Sequence, residues 1–127
     1  MFSHVTVGSN DMTRSKAFYD GVAAPLGLVR HMEIPDGIGY GTKEGRPQLW
    51  IVRPLDKNAA SVGNGITIGL DADTRPAVDA AYAAAIANGG KDEGKPGLRP
   101  HYHANYYGAY VRDPDGNKVC IVCHKPA

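Results

Sequence analysis

The chain is 127 residues long, which suits one domain and leaves little room for a second. Its 43% hydrophobic and 21% charged residues are those of an ordinary globular protein. A net charge of +1 with no basic stripe argues against a nucleic-acid or anionic-membrane partner. No apolar run approaches the roughly 20 residues of a membrane span. Ser3, His4, Ser9, Asn10 and Asp11 interrupt the N-terminal segment that a signal peptide would need.

In chain order, the first strand is expected over residues 2–7. A helix follows the cap cluster Ser9-Asn10-Asp11 and runs to Pro25-Leu26-Gly27, with Ser15, Phe18 and Val22 on one narrow stripe. Strands are expected over 28–34, 37–42 and 48–52, separated by Pro35-Asp36-Gly37 and by the turn at 43–47. The stretch 55–62 reads as a linker between two modules, 1–54 and 63–127, of a single domain covering 1–127. The second module opens with a strand at 65–70. An alanine-rich helix follows, with Thr74 as its N-cap and Pro76 in the first turn, and it stops at Asn88-Gly89-Gly90. A short strand near 91–93 and strands at 107–112 and 119–123 complete it. Each half therefore reads strand, helix, three strands, which is an internal duplication in element order.

The two cysteines, Cys120 and Cys123, have C-x-x-C spacing but fall on a strand. Residues three apart on a strand point to opposite faces, so the thiols should diverge rather than form a redox or zinc pair. Free thiols suggest a cytoplasmic protein.

Three features together resemble the glyoxalase/bleomycin-resistance/dioxygenase superfamily, whose members chelate vicinal oxygens. They are His4 on an opening strand, Ala17-Phe18-Tyr19-Asp20 followed by Pro25-Leu26-Gly27-Leu28, and Asp113-Pro114-Asp115-Gly116-Asn117. The resemblance implies an α+β fold of two paired βαβββ modules whose mixed sheet curves around a cleft, usually in a homodimer. It also implies that metal ligands, where present, come from the first and last strands of each module. Superposing the modules puts His4 and Gln48 beside Thr67 and Cys120 on the cleft side of their strands. That set offers one strong ligand, one thiol and no carboxylate, so no cofactor is expected. The alternative is a metal-dependent glyoxalase-like lyase holding zinc, nickel, manganese or iron through His4.

His4 then reads as a general base, a polar anchor or a structural residue. Cys120 is either a nucleophile or a buried filler. Gln48 suits polar recognition, and Trp50, in the same phase, suits stacking or packing. The segment 95–107 holds Arg99, His101, His103, Tyr106 and Tyr107 in an ordered loop that can grip a small-molecule ligand or serve a dimer interface. The expected function is small-molecule binding or lyase-type chemistry without the family's usual metal.

Overall fold

The computed structural model describes residues 1–127. The first module runs β1 (Val5–Gly8), α1 (Met12–Ala23), a 3-10 turn (Ala24–Leu26), β2 (Leu28–Ile34), β3 (Gly37–Thr42) and β4 (Leu49–Val52). The second runs β5 (Ile68–Asp71), α2 (Arg75–Ala87), β6 (Lys91–Leu98), β7 (Tyr107–Arg112) and β8 (Lys118–Cys123). Their sheets have the same order, β1-β4-β3-β2 and β5-β8-β7-β6, each with one parallel pair (β1 with β4, β5 with β8) and otherwise antiparallel neighbours. The duplication seen in the sequence is thus a duplication of topology. The two sheets stay separate, because β1 and β5 pair only within their own modules. No helix is long and apolar enough to cross a membrane.

Local chemistry fixes both helices. The Asp11 carboxylate accepts the Arg14 N–H at 3.1 Å and the Thr74 hydroxyl accepts the Ala77 N–H at 3.2 Å, each satisfying an otherwise unpaired first-turn donor. After α1 the chain turns at Gly27, whose φ of 70° lies in the left-handed region that lacks a steric penalty only for glycine.

Three strands differ from the expectation by more than one residue. β1 starts at Val5, where its ladder with β4 begins. β5 starts at Ile68, after a turn closed by the Ile66 N–H on the Gly63 carbonyl. β6 runs on to Leu98 rather than ending near residue 93, with register shifts between Asp92 and Gly94 and between Gly94 and Gly97. It is an edge strand, where such irregularities and Pro96 are tolerated because one side makes no ladder bonds.

A single core joins the modules. Phe18 and Val22 of α1, Tyr40 of β3, Ile51 of β4, Val78 of α2 and Ile121 of β8 all belong to it. Ala81 and Ala85 are fully buried, and Gly90 lies so near Phe18 that a Cβ there would come within 2.7 Å of the ring. Small residues on α2 therefore let the two helices approach.

Polar bolts reinforce this contact. The Tyr19 hydroxyl donates to Asp113 at 2.6 Å, and Ser15 donates to Asp115 at 3.2 Å. Asn117 Nδ2 donates to the Gly8 carbonyl at 3.0 Å. Burial, together with the neighbouring Asp113 carboxylate, pushes the Tyr19 phenol well above its ordinary pKa, so it remains a donor.

Candidate functional site

Alternation along each strand divides its residues between the shared core and the opposite, outer face of the sheet. On β4, Leu49 and Ile51 are core residues, leaving Trp50, Val52 and the preceding Gln48 in the opposite phase. On β8, Val119, Ile121 and Cys123 belong to the core, whereas Cys120 bonds across the outer face to Tyr106. The two thiols therefore diverge, and both are free.

Glycines let large side chains lie flat on these outer faces. A Cβ on Gly39 would sit 3.0 Å from the Trp50 ring, and one on Gly108 would sit 2.8 Å from the Tyr106 ring. The Arg99 guanidinium lies over Gly94 and Gly97, 3.2 Å from where each Cβ would be. The outer face of the second sheet is consequently covered by a connected layer. Tyr106 shares a hydrogen bond with Tyr110 at 2.8 Å and another with Cys120 Sγ at 3.3 Å. Arg99 and Lys118 lie 5.7 and 5.4 Å from the Tyr110 ring. Burial raises the Tyr106 and Tyr110 pKa values, and both phenols stay protonated.

Open space lies elsewhere. A cleft of about 600 Å³ opens between the modules, at the edge strands β1 and β5. Its apolar wall includes Phe2, Val5, Leu28, Leu49, Ile68 and Leu70. Gln48 and Thr67, from opposite modules, supply neutral polar groups, and Asp71 and Asp73 are its only charged side chains. The volume falls within the roughly 300–1,000 Å³ of small-molecule sites, and an apolar wall with a few polar groups is their usual composition.

The residues singled out from the sequence thus fall into four places. Gln48 and Thr67 meet in the cleft. Arg99, His101, His103, Tyr106 and Cys120 belong to the covered face of the second sheet and its adjoining loop, with His101 packed on Tyr102 at 4.3 Å. Trp50 covers the first sheet. His4 and Tyr107 stand apart from all three. The His4 ring is exposed and shares a hydrogen bond with Ser3 at 2.8 Å. The Tyr107 hydroxyl donates to Asp79 of α2 at 2.6 Å, and its ring packs against the core. Cys120 is level with Gly69 of β5, while Thr67 precedes the Ile68–Val119 pair.

Sequence reasoning missed Asp71, Asp73, Leu28 and Leu70 in the cleft, and Tyr110, Lys118 and His124 in the covered layer. Asp71 was within reach, because it follows Thr67 and Gly69 in the same alternating phase of β5. His124 carried no local signal.

Duplicated βαβββ modules flanking a ligand-sized cleft define the class of fold to which the chain belongs. The profile of the glyoxalase/bleomycin resistance protein/dioxygenase superfamily matches residues 1–121, and the chain belongs to that superfamily. A glyoxalase/bleomycin resistance protein from Albidiferax ferrireducens is 41% identical, with a TM-score of 0.87 over 99% of both chains. A glyoxalase-related enzyme from Fulvimarina pelagi (21% identical, TM-score 0.74, 97% of this chain and 87% of that one) shares the fold. So does a lactoylglutathione lyase from Agrobacterium tumefaciens (22%, 0.65, 97% and 92%). No curated protein matches the chain.

The family resemblance allows a divalent metal at His4, Gln48, Thr67 and Cys120, and within one chain the structure brings only Gln48 and Thr67 to the cleft. No three His, Cys, Asp or Glu side chains converge anywhere in it. Gln48 and Thr67, at the inter-module positions, are neutral and weak donors that would poorly repay an ion's lost hydration.

Proposed function

We propose that this protein binds a small organic molecule in the cleft between β1 and β5, with no metal in the site. The observation that carries this reading is the lining itself, an apolar wall with Gln48 and Thr67 as hydrogen-bonding groups and the Asp71 carboxylate at hand, Asp73 being paired with Lys125. Such a site favours an apolar body with a polar or cationic group, since no lysine, arginine or histidine lines it. Binding is favoured over lyase chemistry because His4 and Cys120, the candidates for proton transfer and nucleophilic attack, both lie outside the lining. In this reading the protein works in the cytoplasm, where its two free thiols stay reduced, and as a homodimer. The 71% and 58% exposure of Phe2 and Ile66 supports a covering partner.

The test is a fragment screen by ligand-observed NMR in metal-free buffer. Several fragments should bind wild type, and Thr67→Val combined with Gln48→Ala should weaken them about tenfold, as expected for roughly 1–1.5 kcal/mol of lost hydrogen bonding. Fragment binding that appears only after zinc or nickel is added would replace this reading with the metal-dependent lyase.

A further inference from the structure

The loop between β6 and β7 is tied to the C-terminal segment by a pair of imidazoles. His103 Nε2 and His124 Nδ1 are 2.8 Å apart, and the two rings meet edge to edge, with centroids 5.1 Å apart and 25° between their planes. One further contact fixes where the protons lie. The Asn105 backbone N–H donates to His103 Nδ1 at 3.1 Å, so that nitrogen is an acceptor and His103 carries its proton on Nε2. Nε2–H therefore donates to His124 Nδ1, and His124 holds its own proton on Nε2.

This arrangement has no place for another proton. Protonating His124 at Nδ1 sets two N–H groups against each other, and protonating His103 at Nδ1 opposes the Asn105 N–H. Either change also puts positive charge onto the pair. The same proton placement argues against a metal between the rings, because the His103 nitrogen that faces His124 already bears hydrogen.

We infer that the His103–His124 contact is a proton-operated clasp, closed when both imidazoles are neutral and opened by acid. The element it holds is Tyr106. That ring packs edge-on against His103 at 5.6 Å and His124 at 5.4 Å, while its hydroxyl covers Cys120, which is 4% exposed. Opening the clasp frees Tyr106 and uncovers the thiol.

The groups around the pair come from the sheet and from the chain end. Arg99 and Lys118 flank Tyr110 on the sheet beneath. Lys125, next to His124, is paired with Asp73 at 3.2 Å. Tyr102 packs on Tyr106 at 4.8 Å, and His101 packs on Tyr102. Among these groups only imidazoles ordinarily change charge between about pH 5 and pH 7.5. The contact is therefore present above that range and lost as pH falls through it. His101 is the one competing source of such a change.

Hydrogen exchange tests the clasp independently of any ligand. After correction for intrinsic rates, protection of the Asn105 and Tyr106 amides should fall about tenfold between pH 7.5 and pH 5.0 in wild type, the effect of losing roughly one hydrogen bond. His124→Phe keeps a ring but no nitrogen, and should show the low protection at both pH values. His101→Gln should retain the wild-type dependence. Equal wild-type protection at the two pH values, or a pH response that follows His101 rather than His124, would overturn the clasp.

Discussion

Replacing Asp113 with alanine should lower the free energy of unfolding by roughly 3 kcal/mol, the expected scale for removing a buried, multiply bonded carboxylate. Asp113 is 3% exposed and all of its contacts are short. One oxygen accepts the Tyr19 hydroxyl at 2.6 Å and Asn117 Nδ2 at 2.9 Å. The other accepts the backbone N–H groups of Asp115 and Asn117, each at 2.9 Å. Two of these bonds build the β7–β8 turn, which Gly116 completes at a φ of 92°. The Tyr19 bond crosses from that turn to α1 in the other module. Alanine would strand the Tyr19 hydroxyl in a core where it is 2% exposed. Tyr19→Phe removes one bond and leaves the turn intact, so its cost should be smaller, about 1–2 kcal/mol. Urea unfolding measures both. A loss below about 1 kcal/mol for Asp113→Ala would mean that the Asp113 network contributes little to holding the modules together.

Gly69→Leu should abolish ligand binding while leaving the fold intact. Gly69 lines the cleft from β5, and a Cβ built there meets nothing within 4 Å. Its φ lies outside the left-handed region, so a side chain adds no backbone strain. Leucine favours an extended strand over glycine and would project into space that a ligand needs. The expected result is at least a hundredfold loss of affinity, with a Tm within a few degrees of wild type, as for substitutions that disturb no packing. Retained affinity in a folded Gly69→Leu protein would move the ligand out of this cleft.

Much of the fold was legible because its determinants are local. Asp11 and Thr74 cap where their residue types predict, and β2, β3 and β7 have the expected bounds. Alternation also separated Cys120 from Cys123, because period two is a property of any strand. The site was less legible because it depends on pairings between distant segments. Thr67 and Cys120 face the same way but at different levels, since the parallel register of β5 and β8 aligns Gly69 with Cys120. Tyr107 was grouped with Tyr106, yet the loop closes through the Arg99 N–H on the Tyr106 carbonyl, and β7 starts one residue later. That single step sends the two rings to opposite faces. The cleft itself arises where β1 and β5 leave their edges unpaired, which no strand pattern reveals.

Chemical-shift mapping of the first fragment found to bind, on uniformly 15N-labelled protein in metal-free buffer, tests the cleft most directly. Shifts should concentrate on 26–28, 40–42, 48–49 and 67–71, with 99–110 and 118–120 unmoved. Shifts centred on Tyr106, Tyr110 and Cys120 instead would place the ligand on the outer face of the second sheet and contradict the cleft assignment.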